Sequence, residues 1–465
     1  RELRLSVNHM TANTVAFAVC TNCRARTLNP REKKEKKEES HTMETSTFRR
    51  IYSKTAAILA VLAMTAGSVQ AFEYWPLQIG PVKVGGALRY NYVYRDWAEG
   101  QYGSGGGEVD FDTARINLSL DKEQWIGALE YRFYRPEAGS YKWQVDNTTS
   151  DNDYWYSMLH HGWLGYRFDD SSEVHVGVHQ VPFGIQPYAS HNWFFQLAYY
   201  VGLEDDYDLG IKYIKKAAPW TLKLAYYVQD EGHYFGRSND SARYSYDLVE
   251  DPCWDGTSPA NEEDGQVNAR LTYTLAHGEK GQTEFGLSGQ YGLIENGNSG
   301  DHGDHYALGL HTNTTYNRWN VMAQTIRYEY SPENVPALDT AAPYQDGSYV
   351  VMGAYDAPYR VASKGWVHSL GVSYKLPINN VDWIDSITFY DDYSILVKDE
   401  SDWSDSQQNV LGAMIASGGF YIYCDIASGK NNPWLGPGWT NSLANTAGET
   451  NDWDTRFNIN VGYYF

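Results

Sequence analysis

The last nine residues of the chain constrain its fold more than any other stretch. Apolar side chains occupy every second position, and polar or small residues lie between them. This alternation predicts a β-strand with one apolar face and one polar face. Taken by itself, the segment also fits the edge strand of a soluble β-sandwich. The alternating apolar residues are Phe457, Ile459, Val461, Tyr463 and Phe465.

Residues 43–71 have the organisation of a secretory signal peptide. Basic residues precede an apolar run over 55–66, and small residues close the segment before Phe72. The apolar run is too short to cross a bilayer as a helix. We therefore expect residues 1–42 to be an over-extended reading frame and residues 72–465 to form the mature, exported protein.

The composition suits a membrane barrel better than a soluble protein. The chain has 39 Tyr, 16 Trp and 15 Phe, which favours aromatic girdles at two membrane interfaces. A mean hydropathy of −0.55 does not contradict this, because only alternate strand residues of a barrel face lipid. The net charge of −21 predicts no nucleic-acid partner. Cys253 and Cys424, far apart in sequence, imply no disulfide framework and leave open one bond or two free thiols.

Alternating segments separated by turn-forming residues predict about sixteen strands. Short connections such as 121–123 and 217–218 alternate with long polar ones such as 135–153 and 230–264. Short periplasmic turns and long extracellular loops produce this pattern in transmembrane barrels. We therefore predict an all-β, transmembrane antiparallel β-barrel. The predicted strands are 82–97, 107–120, 124–135, 154–168, 172–181, 207–216, 219–229, 265–277, 281–294, 303–316, 318–331, 348–361, 364–376, 383–397, 406–427 and 454–465.

The chain resembles Gram-negative outer-membrane porins. Its terminal aromatic strand is similar to the closing strand of those barrels. Gly177, Pro182, Phe183 and Gly184, after the fifth predicted strand, resemble a motif of the phosphate-selective porin O/P family. The resemblance implies an outer-membrane location, contact with lipid and lipopolysaccharide, and a homotrimer.

The resemblance also implies that the segment after the fifth strand folds inward and constricts the channel. Residues 184–206 contain no Lys or Arg, so the sequence does not predict phosphate as the solute. The acidic run over 204–208 offers oxygen ligands for Ca²⁺, but its spacing matches no known loop, and we predict no metal site. The predicted constriction residues are Pro182, Phe183, Gly184, His191, Trp193, Glu204, Asp205 and Asp206.

Strand periodicity places a set of basic residues opposite the apolar faces. A charge on the lipid face costs ~2–4 kcal/mol at mid-bilayer, so these residues are predicted to line the lumen. Fixed positive charge in a narrow pore attracts anions. The alternative is that they pair with carboxylates such as Glu130 and Glu284 and select nothing. The predicted basic wall comprises Arg89, Arg95, Arg115, Arg132, Arg167, Lys212, Lys223 and Arg270.

These observations predict a porin for passive diffusion of small hydrophilic solutes and ions, and the basic wall favours anions. No catalytic constellation stands out, so we predict neither an enzyme nor a cofactor. A sugar-selective porin is an alternative, because aromatic residues over 193–200 could stack on sugar rings or could simply pack the segment against the wall. A non-conducting structural or adhesive barrel is the other.

Overall fold

The fold is built almost entirely from antiparallel strands. The computed structural model describes residues 77–98, 107–135, 155–253, 258–335, 347–439, 441–444 and 451–465. The predicted reading-frame extension and signal peptide lie outside these residues. The strands are β1 (Leu77–Ile79), β2 (Val82–Arg95), β3 (Glu108–Lys122), β4 (Trp125–Tyr134), β5 (Tyr156–Asp169), β6 (Ser172–Gln180), β7 (Tyr207–Ala217), β8 (Trp220–Asp230), β9 (Asp247–Leu248), β10 (Asn261–Ala276), β11 (Gly281–Asn296), β12 (His302–Tyr316), β13 (Trp319–Ser331), β14 (Tyr349–Ala354), β15 (Ala357–Ala362), β16 (Lys364–Pro377), β17 (Ser386–Lys398), β18 (Ser406–Ser417), β19 (Phe420–Lys430) and β20 (Trp453–Tyr464).

Sixteen of these strands close into one barrel, which confirms the predicted fold class. β2 pairs with β3 on one side and with β20 on the other, and β8 pairs with β10. At the end of the closing strand, the Phe465 N–H donates to the Gly86 carbonyl at 3.0 Å and the Gly86 N–H donates to the Phe465 carbonyl at 2.9 Å. The barrel therefore has no free edge at its terminal strand.

The outer face of the barrel is apolar, and the inner face is polar. On β11, Phe285, Leu287 and Tyr291 are 48%, 53% and 48% exposed, whereas the intervening Ser288 and Gln290 are buried. Comparable exposed apolar side chains occur all around the barrel. A closed barrel with this exterior is stable only with lipid around it. The protein is a transmembrane β-barrel.

Tryptophans mark one membrane interface. Trp125, Trp220 and Trp319 are each the first residue of a strand that follows a short turn, and all three are about half exposed. Such rings favour the level of the lipid headgroups. Among the described residues, no helix is long and apolar enough to cross a membrane. Cys253 and Cys424 are not joined to each other by a disulfide bond.

The predicted strand count is right, but two of the predicted strands are wrong. The segment predicted as the barrel strand 348–361 forms the hairpin β14–β15, which pairs with β9 in a separate three-stranded inner sheet. Every residue of β14 is buried, so this hairpin lacks the lipid-facing side of a barrel strand. The segment predicted as the single strand 406–427 is instead the hairpin β18–β19, which turns at Gly418 and Gly419. A two-residue turn preserves the alternation across it and is therefore hard to recognise from sequence.

The hydrophobic core of the protein lies inside the barrel. Residues 181–206, between β6 and β7, fold into the lumen and are here called the inner loop. Leu197, Val201 and Leu203 of this loop pack with Val350 and Met352 of the inner sheet in one buried cluster. The inner loop and the inner sheet therefore fill part of the lumen and leave a smaller space beside them.

Candidate functional site: an arginine and aromatic chamber

The start of the inner loop is fixed to the wall formed by β10, β11 and β13. The Gly184 N–H donates to Ser288 Oγ at 3.2 Å, and the Ile185 N–H donates to Gln324 Oε1 at 3.3 Å. Gly184 has a φ of 55°, a conformation that favours glycine. Phe183 is buried beside this turn. The Pro182-Phe183-Gly184 motif thus turns the chain into the lumen.

Three residues of the predicted basic wall hold this turn rather than facing open space. Lys212 Nζ donates to the Gln180 carbonyl at 2.5 Å, and Lys223 Nζ donates to Gln186 Oε1 at 2.6 Å. Arg270 Nε donates to the Gly184 carbonyl at 2.8 Å, and its Nη2 lies 2.6 Å from Glu284 Oε1. Periodicity assigned these side chains to the lumen, but the inner loop covers them there.

A buried carboxylate on β17 holds the middle of the loop. Asp392 Oδ2 accepts the His191 N–H at 2.7 Å, the Asn192 N–H at 3.1 Å and the Asn192 side-chain amide at 2.7 Å. The His191 ring lies between Asp392 Oδ1 and Asn320 Oδ1, at 2.7 Å from each. His191, predicted to face the constriction, is therefore directed at the barrel wall. Asp392 was not predicted. The pair Asp391-Asp392 lies within a strand, so one of the two carboxylates had to face the lumen, and this could have identified it.

The inner loop leaves a chamber of about 450 Å³ against the wall formed by β2 to β5. Of the eight predicted basic residues, three line this chamber: Arg89, Arg115 and Arg132. Arg95 and Arg167 do not. Arg167 is 39% exposed near the short turn after β5, where its Nη1 lies 2.8 Å from Asp121 Oδ1.

The chamber's arginines are partly neutralised by carboxylates. Arg89 Nε lies 2.8 Å from Asp112 Oδ2. Arg115 and Arg132, directly opposite each other on β3 and β4, share Glu130, with their nitrogens 3.2 Å and 2.5 Å from Oε1. Three guanidinium groups thus face two carboxylates on this wall. Arg135, which follows β4 and was not among the predicted basic residues, adds a fourth basic residue to the lining.

Aromatic side chains form the opposite side of the chamber. Phe194 and Tyr199 are almost fully buried, and Phe195 stacks on Tyr199 with ring centroids 4.2 Å apart. Trp193 and Tyr188 are more open and also line the chamber. All five of these inner-loop aromatics line the chamber, and the buried ones also pack in the protein interior. Other loops contribute further aromatic side chains to the lining. Sequence periodicity does not show that these loops fold inward. The residues are Tyr244, Tyr246, Tyr355 and Trp434.

Of the predicted constriction residues, Trp193 and Asp205 line the chamber. Glu204 instead accepts the Ala189 N–H at 2.7 Å, and burial raises its pKa to about 8. Burial likewise raises the pKa of Asp205 to about 6, although the Tyr244 hydroxyl donates to it at 2.7 Å. The acidic residues of the loop therefore bring less negative charge to the chamber than their number in the sequence implies.

We expect the ionic selectivity of the chamber to depend on pH through Asp205. Its raised pKa of about 6 means that it gains negative charge as pH rises from 5 to 7, so anion preference should fall over that range. The measurement is the reversal potential in a salt gradient at each pH. His160 and His161 also line the chamber. The contribution of Asp205 is therefore the difference in reversal potential between wild type and Asp205→Asn at each pH. Identical pH profiles for the two proteins would contradict the assignment of the pH dependence to Asp205.

Comparisons with known proteins find similarity only among solved structures. No protein-family model and no curated protein matches the chain, so membership of the phosphate-selective porin O/P family stays a prediction. DcaP, an outer-membrane channel of Acinetobacter baumannii, is 10% identical, covers 83% of this chain and 97% of its own, and has a TM-score of 0.48. An anion-selective porin from Comamonas acidovorans is 11% identical, with coverages of 83% and 99% and a TM-score of 0.49. OccAB3 of A. baumannii is 12% identical, with coverages of 83% and 100% and a TM-score of 0.44.

Proposed function

We propose that the protein is a porin, a water-filled channel through which small hydrophilic solutes diffuse passively, and that its chamber prefers anions. The observation that carries the proposal is the chamber itself, where three arginines and two carboxylates on one wall face the aromatic inner loop. Charge and size then determine which solutes pass, without a catalytic step.

The orientation of the chamber's guanidinium groups supports the proposed anion preference. The Arg115 guanidinium lies over the Tyr464 ring at 4.7 Å, and that of Arg132 lies over the Tyr244 ring at 4.5 Å. Ring and carboxylate contacts orient the planar guanidinium groups, which suit carboxylate and phosphate oxygens. A chamber of about 450 Å³ lies within the volume range of small-molecule sites. Small organic anions are therefore the proposed solute class.

The test is the reversal potential of the purified protein in a planar bilayer under a KCl gradient. We expect the reversal potential to lie toward the chloride equilibrium potential, because the wall carries more guanidinium groups than carboxylates. A reversal potential toward the potassium equilibrium potential would contradict the anion preference but not the porin assignment. The absence of any conductance would contradict the porin assignment and favour a structural or adhesive barrel.

We also propose that the barrel forms a homo-oligomer through the outer face of β17 and β18. Asp391 lies there, mid-strand and exposed, with the Asn409 amide donating to it at 2.8 Å. A carboxylate facing lipid at that depth is costly, so contact with another protein surface is the better environment. Light scattering in detergent should give a mass of several chains, with a trimer implied by the family resemblance. A monomer would contradict the proposal.

A further inference from the structure

Buried acidic residues cluster where the inner loop, the barrel wall and the inner sheet meet. Asp206 ends the inner loop, Asp208 lies in β7 and Asp247 lies in β9. All three are buried, and one carboxylate oxygen from each lies within 4.8 Å of the others. None of them lines the chamber, so this cluster is separate from the proposed channel site.

A fourth carboxylate points to a missing ligand. Glu231 is 5% exposed, and its carboxyl adjoins that of Asp247. Its Oε1 accepts the Tyr244 and Ser245 N–H groups at 3.1 and 2.7 Å, whereas its Oε2 has no hydrogen-bond partner among the described residues. Asp206 Oδ1 and Asp208 Oδ1 are also without one there. Buried oxygens of this kind need a donor or a cation.

The neighbouring basic group does not satisfy the cluster. Arg243 is almost fully buried, and its guanidinium contacts Asp230 and Asp240. Its Nη1 is 3.4 Å from Asp247 Oδ2, its longest contact of the three. The single positive charge of Arg243 is therefore shared with two carboxylates outside the cluster, and its contact with the cluster is the weakest of the three. Glu263 adds another negative group to the same region.

We propose that Asp206, Asp208, Glu231 and Asp247 bind one divalent cation, preferentially Ca²⁺. Calcium takes six to eight oxygen ligands in flexible geometry, whereas Mg²⁺ demands near-ideal octahedral geometry and keeps several waters. On the barrel wall, the Gln266 amide donates to Asp208 Oδ2 at 3.1 Å. Asp206 Oδ1, Asp208 Oδ1 and Glu231 Oε2 are therefore available as hard ligands.

The position of the site gives the cation a structural role. Its ligands come from the inner loop, from β7, from the loop after β8 and from β9 of the inner sheet. A bound cation would join these four segments and so hold the chamber's aromatic side against the barrel. Chelation should therefore loosen the inner loop without opening the β-barrel ladder.

The test uses the full, chelator-treated protein in detergent with lipopolysaccharide removed. Terbium is the first probe, because nearby tyrosines such as Tyr207 and Tyr244 can sensitise its emission. We expect sensitised emission from wild type that Ca²⁺ reverses and Mg²⁺ does not at equal concentration. No sensitised emission, or equal reversal by both ions, would overturn the proposal.

The site is then assigned by substitution. Asp206→Asn with Asp208→Asn keeps side-chain size and removes two charges, so Ca²⁺ affinity by calorimetry should fall by more than about tenfold. The matched control is Asp382→Asn, which changes an exposed carboxylate in the turn before β17 and should bind as wild type does. Equal Ca²⁺ binding by all three proteins would overturn the proposal and indicate that the cluster shares protons. If the double variant does not fold, the terbium result on wild type decides.

Discussion

Replacing Arg115 and Arg132 together by glutamine should move the reversal potential in a KCl gradient toward potassium. The change removes two of the three guanidinium groups on the wall of β2 to β4 and leaves Glu130 without its two basic partners. The wall then carries one arginine and two carboxylates. Each unit charge within about 4 Å contributes about 1 kcal/mol in water, so the permeability ratio of chloride to potassium should fall roughly tenfold or more.

Arg167→Gln is the matched control for this experiment. It removes the same charge from the same barrel, but its side chain pairs with Asp121 near a short turn and does not line the chamber. Its reversal potential should stay close to that of wild type. If the double variant also stays there, Glu130 neutralises the two arginines in wild type, and they do not select ions.

Asp392→Ala should raise single-channel conductance and make the open channel noisier. The Asp392 carboxylate accepts hydrogen bonds from the backbone and side chains of His191 and Asn192, and it is fully buried. Hydrogen bonds to a charged group contribute about 1.5–3 kcal/mol each, so their loss should release the middle of the inner loop. The β17 ladder uses backbone groups and should remain intact.

The readouts for Asp392→Ala are single-channel recording for the loop and heat modifiability on gels for the barrel. Asp382→Ala is the control, because it removes an exposed carboxylate from the turn before β17. It should conduct as wild type does. Unchanged conductance in a folded Asp392→Ala protein would show that other contacts, such as the Leu197 N–H to Ser394 Oγ bond at 3.1 Å, are enough to hold the loop.

The strands were predictable because their information is local. The alternation in β20 gives both its strand conformation and its two faces. β20 lies between β19 and β2, as the resemblance to outer-membrane porins implied. Arg115 and Arg132 were assigned to the inner face by parity alone, and both line the chamber. The hairpin β14–β15 was assigned to the barrel in error, because an apolar strand buried on both faces has the same propensity as one facing lipid.

The sequence by itself determined that the chain forms a transmembrane β-barrel and which side of several strands faces inward, because both follow from a period of two residues. Only the tertiary structure decided which inward side chains meet open space. The inner loop covers Lys212 and Arg270 but not Arg89, since its path is set by contacts between residues as distant as His191 and Asp392, 201 positions apart. Such contacts have no periodicity, so the chamber depends on how the loops pack inside the barrel.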